Sequence, residues 1–167
     1  MAKGKNRLIQ AFNEDHALLG SGFFELSMAL RNDDIDSARI VAQRLNADAG
    51  AHIAFEEECF YPALAKACGY NIAPLNEEHR VGRNVVQKLC ALEQGQTISA
   101  DERLHLLTES GIMESHIAEC GALFKAMERM PESQQDDLYN ALMDWRRKCP
   151  TWLEFSAVPD TKEAPER

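Results

Sequence analysis

The chain has 167 residues, with 27 acidic and 18 basic side chains, and its formal net charge is −9. This length suits a single domain with a hydrophobic core of its own. The negative charge argues against nucleic acid or an anionic membrane surface as the main partner, because either requires concentrated Lys and Arg.

The chain shows no sign of membrane insertion or secretion. It has no run of eighteen apolar residues, and its basic start leads into an amphipathic segment, so we expect neither a membrane span nor a signal peptide. Five cysteines are scattered along the chain without a Cys-x-x-Cys pair. We therefore expect neither a disulfide framework nor a thiolate zinc site, and we place the protein in the reducing cytoplasm.

The first half of the chain predicts two long helices. Apolar residues recur at intervals of three and four from about residue 6 to residue 31, and His16 occupies one of these inward positions. Turn and cap formers in residues 32–37 end this helix. A second helix is predicted from about residue 36 to about residue 67, with Pro62 as a point where it kinks or ends.

The second half predicts three further helices after a loop at residues 68–74. A third helix, from about residue 75 to 93, has His79 in its apolar seam. Ser99 and Glu102 resemble a capping box, so a fourth helix is predicted from there to about residue 130, with Ile112, His116, Leu123 and Met127 on its inward face. A shorter fifth helix ends near residue 148.

These elements predict an all-α fold, an antiparallel up-and-down four-helix bundle with an additional C-terminal helix. Residues 1–150 are assigned to the bundle. Residues 151–155 are predicted to form an extended flap on it, and the polar residues after them a disordered tail.

The segment His52-Ile53-Ala54-Phe55-Glu56 places an imidazole and a carboxylate four residues apart, on one face of a helix. A buried unpaired charge is costly, and a bound metal ion removes that cost. Four predicted helices each carry a histidine in the apolar seam: His16, His52, His79 and His116. Imidazole is the commonest metal ligand, and bundle cores lined by His and carboxylate hold paired iron or manganese. We therefore predict a metal site, with two metals rather than one.

From about residue 8 to residue 130 the chain resembles the hemerythrin-like family of cation-binding bundles with a His-His-Glu signature. The resemblance is carried by the four histidines, by Glu56 and the following Phe60-Tyr61-Pro62, and by Glu78 next to His79. It implies a non-heme di-iron site in which Glu56 bridges the metals and the histidines are terminal ligands. Manganese and zinc are less favoured than iron.

The chain departs from the family pattern at two positions. Oxygen-carrying members have a second histidine in the third helix, where this chain has Arg83. They have a second bridging carboxylate in the fourth helix, where this chain has Cys120 and Gly121. Glu119 is a candidate replacement ligand if its side chain bends inward. Cys120 is another candidate, as a thiolate ligand, and it is alternatively a free thiol beside the metals or a small buried core residue.

With this resemblance, we expect a cytoplasmic protein that binds or senses dioxygen or a related small oxidant at its iron pair. Fewer protein ligands leave more open coordination positions, which favours binding of dioxygen, nitric oxide or peroxide. One alternative is an enzyme that acts on peroxide or nitric oxide or donates iron for repair. Another is a partner-binding bundle with a degenerate metal site. No particular protein partner is indicated.

Overall fold

A computed structural model describes residues 3–156, and within this range every regular element is a helix. The prediction of an all-α chain is therefore confirmed for the described residues, while the predicted disordered tail lies outside them. The helices are α1 (Lys3–Arg31), α2 (Ile35–Phe55), a π-helical turn (Glu56–Phe60), α3 (Tyr61–Cys68), α4 (Ala73–Cys90), α5 (Ala100–Glu119), α6 (Gly121–Arg129), α7 (Glu132–Lys148) and α8 (Trp152–Ser156).

Local sequence explains where the helices begin. The side chain of Asp34 caps α2 by accepting a hydrogen bond from the backbone N–H of Ser37 at 3.0 Å. Ser99 caps α5 in the same way, accepting from the N–H of Glu102 at 3.1 Å. Side-chain oxygens at these positions satisfy donors that the first turn of a helix leaves unpaired, which fixes the two starting points.

The helices pack in a closed sequence of contacts. Helix α1 lies against α2 and α5, and α4 also lies against α2 and α5. Helix α7 packs on α1 and α2, and α8 packs on α2. Each of α1, α2, α4 and α5 therefore has two long neighbours and presents one face to a shared interior.

The buried apolar residues form two separate clusters along these helices. On α1, Leu19 belongs to one cluster and Phe12 to the other, with His16 between them. On α5, Met113 belongs to the first cluster, and Cys120, which follows that helix, belongs to the second. A polar layer thus lies where the two apolar clusters meet.

The second predicted helix continues to Cys68, but its middle is a π-helical turn rather than a kink. The backbone N–H of Tyr61 bonds the carbonyl of Glu56, five residues earlier. Pro62 lies directly after this turn and does not end the helix. A proline leaves a carbonyl in the preceding turn without its usual donor, and a widened turn accommodates that loss.

The fourth predicted helix differs from the prediction in two respects. It is interrupted at Cys120, which separates α5 from α6. The prediction that Ile112 faces inward is wrong, because Ile112 is 38% exposed, whereas Met113 is 1% exposed. The buried face of α5 passes through Leu106, Ser110, Met113 and His116, so the inward stripe lies one position later than predicted at this level.

The C-terminal segment packs on α2 as predicted, but α8 is helical and not extended. Thr151 and Glu154 form a reciprocal cap, since the N–H of each bonds the side chain of the other at 3.0 and 3.2 Å, and this starts a helical turn. Trp152 is 1% exposed. Gly50 makes this packing possible, because a Cβ there would lie 1.9 Å from the carbonyl oxygen of Pro150.

None of the helices between residues 3 and 156 combines the length and the apolar character needed to cross a membrane.

Candidate metal centre

Four histidines from four helices converge on the carboxylate of Glu56. The Nε2 atoms of His16 and His52 lie 3.5 and 3.3 Å from its Oε1 atom. The Nε2 atom of His79 lies 3.1 Å from Oε2, and that of His116 lies 3.2 Å from His79 Nε2. We call the first group, around Oε1, the His16 side, and the second, around Oε2, the His79 side. Oε1 therefore faces His16 and His52, whereas Oε2 faces His79, which in turn contacts His116.

The cluster is shielded from solvent. None of the four histidines is more than 8% exposed, and Glu56 is 1% exposed. The ring of Phe12 lies against the His16 side, with its centroid 4.2 Å from that of His16 and 4.9 Å from that of His52. An ionised carboxylate in such surroundings requires charged or hydrogen-bonded partners.

Three of the histidines are held by carboxylates at their other ring nitrogen. Asp15 lies 3.0 Å from Nδ1 of His52, Glu57 lies 3.0 Å from Nδ1 of His79, and Glu78 lies 2.5 Å from Nδ1 of His116. A carboxylate accepts the Nδ1 proton, which leaves the Nε2 lone pair of a neutral ring pointing toward Glu56. This is the arrangement expected of metal-binding imidazoles.

The charges of the cluster are coupled. Burial lowers the pKa of His52, but Glu56 and Asp15 outweigh burial and raise it to about 9. Burial likewise lowers the pKa of His79, while its bonds to Glu56 and Glu57 raise it to about 8. Burial disfavours the charged form of Glu56, but the histidines hold the pKa of this carboxyl well below its usual range. The carboxylates around His52 and His79 therefore favour the protonated form of both rings.

The remaining two histidines behave differently. Burial lowers the pKa of His16 and of His116 from the ordinary value, and the neighbouring histidines lower it further. Both rings are therefore neutral at pH 7, with nitrogen lone pairs available. One such neutral ring lies on each side of Glu56.

The residues fit a divalent metal on the evidence of their unpaired atoms. Nε2 of His52 and Oε1 of Glu56 are buried without a hydrogen-bond partner, although they lie only 3.3 Å apart. The structure contains two sets of three donor atoms, and within each set all atoms lie within 4.8 Å of one another. One set comes from His16, Glu56 and Cys120, and the other from Glu56, His79 and His116. Imidazole nitrogen and carboxylate oxygen suit iron, manganese and zinc. Glu56 is the residue shared by both sets.

Sequence reasoning treated Tyr61 only as part of a motif and did not assign it to the site. Its hydroxyl lies 3.1 Å from Nε2 of His79 and 3.5 Å from Nε2 of His116, and its side chain is fully buried. Burial raises the pKa of Tyr61 well above its ordinary value, so it is a neutral O–H donor. Tyr61 lies five residues after Glu56, directly after the π-helical turn. Its place in the site depends on this turn, which the spacing rules of a regular helix do not predict.

The carboxylates at the Nδ1 atoms were also missed or only partly recognised. The sequence assigns no site role to Asp15 or Glu57, and Glu78 enters the motif only as the neighbour of His79. Each lies immediately beside a residue of the cluster in the sequence, which is a usable signal.

The candidate replacements for the missing carboxylate lie in different surroundings. Cys120 is 2% exposed and belongs to the His16 side, while Glu119 is exposed and is absent from both sets of converging donors. Arg83 is partly buried on α4. The ligand role of each sequence-predicted residue, Glu119 included, stays a prediction.

A cavity of about 180 Å³ reaches the cluster from outside. It is lined by the exposed residues Tyr70 and Glu119 and by the buried residues His116 and Cys120. Because exposed and buried residues share its wall, it connects the surface to the His79 side and to the thiol. A molecule of a few atoms fits such a space.

A family model described as "Hemerythrin HHE cation binding domain" matches residues 7–119. The matched range, about two thirds of the chain, contains Glu56 and the four converging histidines and ends directly before Cys120. No curated protein and no solved structure matched the chain.

Proposed function

The chain belongs to the hemerythrin HHE cation-binding family, and from this premise we propose that it is a non-heme di-iron protein that binds or senses dioxygen or a related small oxidant. The observation that carries the proposal is the division of the Glu56 carboxylate between two groups of imidazoles. A carboxylate with one oxygen directed to each group is suited to bridging two cations.

In this proposal the protein ligands are distributed over the two sides of Glu56. His16 and His52 would hold one iron, His79 and His116 the other, and Glu56 both. When bound, the iron pair would supply the electrons that a small oxidant takes up. The negative charge of Glu56 and the carboxylates at the Nδ1 atoms would stabilise the added positive charge of the oxidised metals.

The surrounding residues would control what reaches the site. Phe12 packs on the His16 side and excludes water there. The neutral hydroxyl of Tyr61 lies beside His79 and His116, where it can donate a hydrogen bond to a bound ligand. The cavity lined by His116 gives a small molecule access to the same side.

The proposed scaffold is an antiparallel up-and-down four-helix bundle made of α1, α2 with its continuation, α4, and α5 with α6. Helix α7 is the additional C-terminal helix, and we place the start of the terminal segment at residue 151. The closed sequence of contacts among α1, α2, α4 and α5 supports this arrangement. We place the protein in the cytoplasm, a proposal supported by its five free cysteines.

A second candidate is an enzyme that reduces peroxide or nitric oxide, or a donor of iron for repair. The specific observation in its favour is that the thiol of Cys120 lies in the cluster and also lines the cavity. A ligand entering the cavity would meet both a metal position and a thiol. Turnover that disappears in a Cys120→Ser variant with its iron retained would favour this candidate.

The experiment is metal analysis of the full chain from iron-supplemented cells, followed by optical spectra of the reduced protein before and after air is admitted. We expect about two irons per chain and an absorption band that depends on oxygen. Glu56→Gln should lose most of the iron, whereas Glu58→Gln, an exposed neighbour in the same turn, should keep it. One metal or none in the wild type, with no response to air, would overturn the proposal and favour a partner-binding bundle.

A further inference from the structure

We propose that Cys120 binds a metal as a thiolate on the His16 side, so that the two metal positions have different ligands. This inference rests on the proposed function, since it requires a metal at Glu56. It gives the His16 side nitrogen, oxygen and sulfur donors, and leaves the His79 side with nitrogen and oxygen alone.

The positions of the donor atoms support this assignment. A nitrogen of His16, an oxygen of Glu56 and Sγ of Cys120 lie within 4.8 Å of one another. Metal bonds to such donors are about 2.0–2.3 Å long, so two ligands of one tetrahedral ion lie roughly 3.3–3.8 Å apart. A contraction of up to about 1 Å would therefore bring all three donors onto one ion.

Unpaired atoms on the same side point independently to a cation. Nε2 of His52 and Oε1 of Glu56 are buried and have no hydrogen-bond partner, and both residues are at least 98% buried. Nε2 of His16 lies 3.5 Å from the same Oε1 atom, whereas His52 is outside the set of donors that lie within 4.8 Å of one another. The His79 side offers only His79, His116 and the second oxygen of Glu56.

The two positions differ in donor type and in what lies beside them. One set of donors includes the thiol of Cys120, whereas the other consists of nitrogen and oxygen alone. The hydroxyl of Tyr61 lies beside His79, and the cavity is lined by His116 of the same side and by Cys120. We therefore assign ligand binding to the His79 side, which has a hydroxyl donor and a histidine in the cavity wall.

The local backbone allows the thiol to change partners. The Sγ–H of Cys120 donates a hydrogen bond to the carbonyl of His116 at 3.2 Å. Metal binding would break this S–H bond, form a metal–sulfur bond and release the proton to solvent, with no change in oxidation state. Thiolate favours thiophilic divalent ions, so zinc or cobalt should occupy this position before the other.

The test is an anaerobic titration of the metal-free full chain with Co²⁺, followed in the near ultraviolet, where thiolate-to-cobalt charge transfer absorbs. We expect a band in the wild type that saturates with the first of two bound equivalents. Cys120→Ser and Cys120→Ala should lack the band and still bind cobalt at the His79 side. Cys90→Ser, a matched change of a partly buried thiol that packs against the other apolar cluster, should keep it.

The wild-type spectrum decides the question even if a variant fails to fold. Two bound cobalt ions without a thiolate band would overturn the role of Cys120 and leave the di-metal proposal intact. A thiolate band that persists in Cys120→Ser would overturn it as well. A wild-type chain that binds no cobalt would overturn both proposals together.

Discussion

Metal binding should depend steeply on pH, because two of the histidines must lose protons to bind. In the metal-free protein the pKa of His52 is about 9 and that of His79 about 8, so both rings are protonated at pH 7. The pKa values of His16 and His116 are lowered, so these rings are already neutral. A protonated imidazole cannot coordinate a metal until its proton leaves.

The size of the effect follows from this proton count. In the Cys120→Ser variant, binding of two metals should release about two protons from histidine near pH 7, so the product of the two binding constants rises about 100-fold per pH unit. Between pH 8 and 9 only His52 is still protonated, and the rise falls to about tenfold per unit. Above pH 9 the histidine contribution should vanish.

The stability of the metal-free protein should change in the opposite direction. A histidine whose pKa is raised in the folded state stabilises that state fully below its unfolded pKa, near 6.5. This stabilisation is lost as the pH rises through about 8 and 9. The thermal midpoint of the metal-free chain should therefore fall over this range.

The assay is calorimetry of Zn²⁺ binding in pairs of buffers with different ionisation enthalpies, which counts the protons released. The Cys120→Ser variant isolates the histidine contribution, since it has no thiol proton to release at the site. Release of fewer than about one proton near pH 7 would refute the reasoning, because His52 and His79 would then be neutral in the metal-free protein. A thermal midpoint of the metal-free chain that rises between pH 6.5 and 9 would refute it independently.

Two substitutions test the support of the site and the packing of the chain. Glu57→Ala removes the acceptor for Nδ1 of His79 and should weaken metal binding about 10–100-fold in a chelator competition, whereas Glu58→Ala should leave it unchanged. Gly50→Ala places a Cβ 1.9 Å from a backbone oxygen and should cost about 3 kcal/mol, or roughly 6–12 °C in thermal midpoint. Gly111→Ala meets nothing within 4 Å and should be neutral or slightly stabilising; equal effects of the two glycine changes would contradict the packing argument.

The histidines could be found from the sequence because a ligand and a core side chain obey the same geometry. Both must point inward, so His16, His79 and His116 continue the spacing of three and four set by their apolar neighbours. The spacing of His52 and Glu56 placed both on one face in the same way. The resemblance to the HHE family, built on these residues, is confirmed by the family match.

Other features depend on tertiary structure and escape such spacing rules. The widened turn from Glu56 to Phe60 shifts the hydrogen bonding by one residue, and only Pro62 hinted at it. The interruption at Cys120 lies within a segment of unbroken helical pattern, and the buried stripe before it passes through Met113 instead of Ile112. Both irregularities lie at the cluster, where geometry is set by converging side chains rather than by local propensity.

The carboxylates that support the imidazoles show how four helices fix one site. Asp15 is the sequence neighbour of His16 on α1, yet it bonds His52 on α2, and Glu57 and Glu78 likewise serve the helix next to their own. Adjacent residues of a helix point about 100° apart, so when one faces the interior its neighbour faces the adjoining helix. Rotation of α1 about its axis would therefore move its own histidine and also release the histidine of α2. The orientation of each ring thus depends on two helices, and an acidic residue beside a seam histidine predicts a bond to the next helix.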